Sequence, residues 1–411
     1  MHITLEETEK LLKEDRVFTQ VGFSMLLERL KRFYAQDSSQ LALQKCTDEI
    51  NAFIDKFKMI MAADYENITK SLKSQINGHI MTFDETTRLI NDGKLLHIAG
   101  TENLLRKLPK GNWIGGSTEY FMTKDGGKVS GELLLVTEFP YKDFFIRAYD
   151  SAEVANVAND AFDNGFSIVI FPFDSEVHTV YAKNATSYEN IFMRNITGWA
   201  AGVNLNIPGQ TPVAVNGMAA QAHANKAVAL HLKTPDAKTA RINIINIFTP
   251  DEKSPVIEFT EEGFSVKKCY VDGKETEFAD YITRSGIDTR LPLIGNYSGN
   301  GANVAFKTIE NDVVNLYAPV FSGIKYRIAK EVKDYAAAFQ SHIAKISGAD
   351  VVFSCNCILN FLYGELEGKK TESFIGPITF GEIAYQLLSQ TLVYVTVADE
   401  RHTPLVYNKQ V

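Results

Sequence analysis

The residues best suited to chemistry crowd into the last part of the chain. Phe353-Ser354-Cys355-Asn356-Cys357 is followed by Glu365, Glu367, Glu372 and the glycine-framed run Gly376-Pro377-Ile378-Thr379-Phe380-Gly381-Glu382. A strand that feeds a small polar turn is where α/β folds place ligand contacts, because backbone amides there are free to bind. Cys355 would act as a nucleophile if a base stood beside it, with Glu372 or Glu382 orienting or protonating the substrate. The competing reading is a buried thiol at a strand end with carboxylates capping nearby helices. Free cysteine is among the most buried residue types, which favours that reading. Cys355 and Cys357 also lack the two further ligands of a zinc site: His342 is the nearest histidine, and no second Cys-x-x-Cys or His-x-x-x-His exists.

Two glycine-rich stretches stand apart from this cluster. Gly111-Asn112-Trp113-Ile114-Gly115-Gly116-Ser117-Thr118 reads as a turn that offers amides and two hydroxyls beside a tryptophan, suited to a small anion or carboxylate. Gly295-Asn296-Tyr297-Ser298-Gly299-Asn300-Gly301 lacks the Gly-Lys-Ser/Thr ending of a phosphate loop and reads as a plain tight turn. Among the eight histidines, His223 and His231 share a face of an expected helix but stand too far apart along it to grip one ion. Each of His97, His178, His223 and His231 would serve as a single axial haem ligand, against the commoner role of a hydrogen-bonded structural histidine.

These groups must be held by elements that the hydrophobic pattern outlines. Residues 1–80 contain no proline and read as a helical module. Ile50, Ile54, Phe57, Met61, Tyr65, Ile68, Leu72 and Ile76 keep the steps of three and four that line one helix face. That stripe, within 39–76, predicts either packing on its own domain or a homo-oligomer. Thr82 and Glu85 carry a capping-box spacing that opens a second region near residue 81. From Leu95 onward strands alternate with helices. Strands are expected at Leu133 to Phe139, Ser167 to Phe173, Ala240 to Phe248, Val313 to Tyr317, Val351 to Phe353 and Thr391 to Val397. Phe264 to Glu277 reads as a hairpin turning at Asp272-Gly273. Helices are expected at Ser151 to Asn164, Ala219 to Leu232, Phe278 to Arg284 and Lys325 to Lys345. The fold class is therefore α+β: a helical module over 1–80, then mixed α/β lobes over 81–255 and 256–411.

Composition sets the outer bounds. The chain has 411 residues, 42 basic against 50 acidic, and a net charge of −8. A 45% hydrophobic and 22% charged make-up is that of a globular chain with a sizeable core, and excludes disorder and disulfide scaffolds. Net acidity argues against nucleic acid as a partner. The four cysteines, Cys46, Cys269, Cys355 and Cys357, are too few and scattered for an oxidised framework. No secretory leader and no run of about 18 apolar residues is present, so a soluble cytoplasmic protein without a membrane span is expected.

The stretch from Phe264 to Val397 resembles the second half of FIST-type sensory domains. The resemblance is carried by the Val271-Asp272-Gly273 hairpin, Ala279-Asp280-Tyr281-Ile282, Leu291-Pro292-Leu293, Phe321-Ser322-Gly323-Ile324, Phe353-Ser354-Cys355 and Gly381-Glu382-Ile383. Gly115-Gly116-Ser117-Thr118 looks like the small-residue turn of the first half, so the likeness spans about residues 81–400, closest to an uncharacterised branch. It implies a bilobal, non-catalytic sensor of prokaryotic signal transduction that binds a small polar ligand between its lobes. Ser117 and Thr118 would line one side of the pocket, and Ser354, Cys355, Asn356 and Glu382 the other. Some members are haemoproteins that sense nitric oxide, so a haem-based gas sensor is the first alternative; a self-assembling structural protein using the N-terminal helices is the second. The arginine often found after the Ser-Cys-Asn turn is replaced here by Cys357-Ile358. With no kinase, cyclase or methyl-accepting segment in the sequence, a separate signalling partner is expected.

Overall fold

The computed structural model describes residues 78–297, 300–335, 337–338, 341, 350–370 and 374–399. The helical module expected over 1–80 falls outside them, except that its last three residues open the strand Gly78–Met81. The stripe at 39–76, Cys46, His342 and Glu372 also lie outside the described residues.

Among the described residues strands dominate, in four six-stranded sheets and one three-stranded sheet, with a few short helices between them: an α+β architecture. The second sheet is the middle layer. Its order is Gln386–Leu388, Glu382–Ala384, Ile196–Ala201, Gly165–Pro172, Ala227–Lys233 and Phe144–Tyr149. Along Gly165–Pro172, Phe166, Ile168 and Ile170 enter one core while Val169 and Phe171 enter another. A strand buried on both faces has no position to spend on solvent, which explains its nearly unbroken apolar run. The first of these cores is shared with Ile114 and Leu135 of the first sheet and with Val352, Phe353, Val393 and Val395 of the third. The second is closed by Tyr326, Val314 and Phe278 from the fourth and fifth sheets and the helix Phe278–Ser285.

Strands from the two halves of the sequence complete the same sheets. Tyr120–Thr123 pairs with Gly376–Thr379, Ile196–Ala201 with Glu382–Ala384, and Lys238–Ile245 with Leu392–Asp399. Residue 255, the expected lobe boundary, is thus crossed by sheet hydrogen bonds.

Several local expectations hold. Thr82 and Glu85 close a reciprocal capping box on the helix Phe83–Asn91. Lys268–Val271 and Lys274–Glu277 form the hairpin, with Asp272 and Gly273 both at positive φ as a tight two-residue turn requires.

Others are corrected. Ala219 to Leu232 is not a helix but the short strand Gln221–His223 followed by Ala227–Lys233. The latter sits between Phe144–Tyr149 and Gly165–Pro172, with Val228, Leu230 and Leu232 in one core and Ala227 and Ala229 in the other. Burial on both faces overrides the helix preference of its alanines. Ser151 to Asn164 holds only the 3-10 turn Val154–Val157. Lys325 to Lys345 begins as the strand Lys325–Ile328, because Tyr326 is fully buried between two neighbouring strands. The Gly111 to Thr118 segment is not an open turn: Trp113–Ser117 is a buried strand parallel to Leu95–Gly100. Gly116 is small because a Cβ there would lie 2.6 Å from the Trp199 ring and 2.7 Å from Ile170.

Candidate functional site

The strand Asp350–Cys357 runs on past the point where a turn was expected, so Ser354, Cys355 and Asn356 are strand residues. It pairs antiparallel with Leu392–Asp399 and, at its end, parallel with Gly376–Thr379, where Asn356 faces Ile378 and Cys357 faces Thr379. The two chains approach tightly. A Cβ on Gly376 would meet the Ser354 carbonyl oxygen at 1.9 Å, so only glycine fits.

All six residues singled out in the sequence are buried, and four of them are spent on internal bonds. Ser117 Oγ donates to the Gly202 carbonyl at 2.8 Å and accepts the Val213 N–H at 2.9 Å. Thr118 Oγ1 donates to the Ile378 carbonyl (2.9 Å) and accepts the Tyr120 N–H. Ser354 Oγ donates to the Ile375 carbonyl, and the Cys355 thiol to that of Gly198. These are stitches between strands. The segment 375–379 gathers Thr118, Ser354, Asn356 and Glu382, whereas Ser117 and Cys355 bond elsewhere.

Asn356 and Glu382 belong to a different arrangement. Glu382 is fully buried, accepting Thr379 Oγ1–H on Oε1 (2.8 Å) and both the N–H and hydroxyl of Thr391 on Oε2 (3.2 and 2.9 Å). Burial pushes its carboxyl up to about 8, against the hydrogen bonds from Thr379 and Thr391 and the nearby Cys357 thiol, which hold it down. Thr379 Oγ1 also lies 3.2 Å from the Asn356 carbonyl, so its one hydrogen has two acceptors in reach.

The neighbouring amides orient one another. The Thr391 carbonyl can only accept, so Asn360 turns Nδ2 towards it at 3.2 Å and directs its second hydrogen at Asn356, whose side chain lies 2.8 Å from Nδ2. The Asn356 atom facing that donor must be Oδ1. Tyr335 completes Asn360 by donating its hydroxyl to Oδ1 at 2.7 Å. What remains is Asn356 Nδ2, a two-hydrogen donor on a residue 2% exposed that has no hydrogen-bond partner among the described residues. An unmet buried donor costs about 1–3 kcal/mol. Beside this cluster, Gln390 holds a left-handed φ of 52° in the turn that delivers Thr391.

Neither thiol suits the nucleophile role considered for Cys355. Burial, with the nearby Glu382 carboxyl adding to it, pushes Cys355 and Cys357 well above the ordinary thiol range. Cys357 is the thiol whose hydrogen bond holds the Glu382 carboxyl down, whereas Cys355 meets it only through charge.

The sequence reading has Cys357 and Thr379 within its dense stretch but chooses neither as a site residue, and it misses Thr391, Asn360 and Tyr335 altogether. A signal for one pair was present: Thr379-Phe380-Gly381-Glu382 has capping-box spacing, used here side chain to side chain. It also missed a second buried chain. Ser167 Oγ lies 2.8 Å from His231 Nδ1, His231 Nε2 lies 2.9 Å from the Tyr149 hydroxyl, and Tyr149 donates to Asp160 (2.7 Å), which also pairs with Arg147. Because Tyr149 gives its hydrogen to Asp160, His231 must donate from Nε2 and accept from Ser167 on Nδ1. Every member is satisfied, and Ser167 and His231 are fully buried, so this chain straps the 150–164 segment to the middle sheet.

An axial haem ligand needs an unshared nitrogen lone pair. His231 has both nitrogens engaged, and His97 accepts the Trp199 indole N–H on Nε2. In His178, 2% exposed among Phe171, Phe173 and Phe264, neither nitrogen has a partner among the described residues.

The class defined by this fold and cluster is an α+β protein of layered mixed sheets with a buried polar centre that holds no cation among the described residues. More particularly, the chain belongs to a family of unknown function, DUF6976, whose profile matches residues 81–398. No curated protein matches the sequence. Among the described residues no helix is long and apolar enough to cross a membrane.

Proposed function

We propose that this chain is a cytoplasmic, FIST-like sensory protein that binds a small polar molecule without transforming it and passes the signal to a separate partner. The observation that carries this reading is Asn356 Nδ2, a buried donor that no group among the described residues satisfies. An external acceptor would offset the cost of that unmet donor, which is what a binding site needs and a merely structural amide does not. Thr118, Ser354 and Glu382 then hold the surrounding strands in place, and Ser117 and Cys355 brace the neighbouring layer. The high-lying thiols support binding over covalent catalysis.

Native mass spectrometry of gently purified protein tests the reading. A mass excess lost on denaturation, and absent from Asn356→Ala, is the expected result. A clean apo mass in a defined multimer would overturn it and favour self-assembly through 39–76. Haem is the second reading, favoured by the ring of His178, neither of whose nitrogens has a partner among the described residues, and more weakly by His223, whose Nε2 has none. A Soret band in haem-supplemented protein that vanishes in His178→Ala would carry it, and no band would remove it.

A further inference from the structure

We propose that the molecule held at Asn356 is uncharged and presents a carbonyl oxygen to Nδ2. This rests on the ligand-binding reading above and narrows it. The orientation of Asn356 follows from the fixed polarity of the Thr391 carbonyl, so the free group is a donor and its complement must be an acceptor. The charge of that acceptor follows from what surrounds it. The titratable groups that act on Glu382 from the packed elements are Cys355 and Cys357 on their strand and Tyr335 ahead of it; Thr379 and Thr391 add hydroxyls. None is a cation. A carboxylate or phosphate brought here would be desolvated with no counter-charge among these groups of the described residues, beside an acid that itself ionises near neutrality, a costly arrangement. An amide, ketone or urea-type oxygen needs only the hydrogen bond that Asn356 offers. A neutral carbonyl ligand also leaves the Thr379 hydroxyl free to serve either of its two acceptors.

Ligand-observed NMR with acetamide and acetate as millimolar probes decides the matter. At pH 7, saturation transfer to acetamide but not to acetate is expected, and the acetamide signal should fall at least tenfold in Asn356→Asp, which swaps the donor for an acceptor of the same shape. Should that variant not fold, Asn356→Ala takes its place, since Asn360 keeps its bond to the Thr391 carbonyl. Acetate binding alone, or acetamide binding indifferent to residue 356, overturns the carbonyl assignment. A co-purified anion in the native mass spectrum would overturn the assignment while preserving the binding reading; an apo mass with no acetamide signal would remove both.

Discussion

Glu382 and three buried histidines give the protein opposing responses to pH. The Glu382 carboxyl, ordinarily near 4.5, is raised to about 8 by burial, so the folded chain holds a proton that the unfolded chain has released. The stability tied to that proton is full below about 4.5 and is lost as pH rises through about 8. Glutamine mimics the protonated acid, accepting from Thr391 and donating to Thr379, whose hydroxyl can turn to the Asn356 carbonyl. Glu382→Gln should match the parent in urea denaturation near pH 4, exceed it by pH 6 and exceed it most at pH 9; equal pH slopes would contradict the assignment. Burial lowers His97 to about 3 and His178 and His231 to about 4, from an ordinary 6.5. Here the unfolded state binds the protons, so stability is full above 6.5 and is lost as pH falls towards 4. A stability maximum close to pH 6.5 is expected from melting curves across pH 4–9. The thiols set a further expectation. A maleimide probe should leave Cys355 and Cys357 unlabelled in the native state and label both in denaturant, and fast native labelling at Cys355 would revive a catalytic thiol.

At the scale of elements, the close approach of Asp350–Cys357 to Gly376–Thr379 is the constraint with least tolerance. Gly376→Ala places a methyl 1.9 Å from a carbonyl oxygen and must part the strands that carry Asn356 and Thr379. A loss of about 3 kcal/mol or more is expected in chemical denaturation, the range of a steric clash in a packed interior. Gly116→Ala should act through Trp199, changing its near-ultraviolet circular dichroism before it changes global stability. The same elements mark how far the sequence could be read. Runs rich in β-branched and aromatic residues, such as Gly165–Pro172 and Leu392–Asp399, announced themselves because their propensity and their burial agree. Ala227–Lys233 did not, since alanine and leucine favour a helix in isolation and only its two flanking strands make it a strand. Gly115-Gly116 imitated a turn, while the reasons are the Ile98 carbonyl on the adjacent strand for the first and, for the second, a tryptophan more than eighty positions away. In the candidate site, Asn356 and Glu382 were legible as polar residues in a dense motif. That one has a spare donor and the other a high-lying acid depends on Asn360, Thr379 and Thr391, which meet them only in the folded chain.

Across the whole molecule, the interleaving of early and late strands has a temporal consequence. Tyr120–Thr123 waits for Gly376–Thr379, Ile196–Ala201 for Glu382–Ala384, and Lys238–Ile245 for Leu392–Asp399. At common rates of synthesis those earlier strands spend on the order of ten seconds or more as open edges before their partners emerge. Loop closures of this span make folding slow, and exposed edges invite pairing with other chains. The ribosome therefore delivers a protein that cannot finish any of these three pairings until nearly its last described strand has left the exit tunnel. Growth conditions that slow translation, or loss of a chaperone that shields nascent strands, should lower its soluble yield more than that of a protein whose sheets close in sequence order.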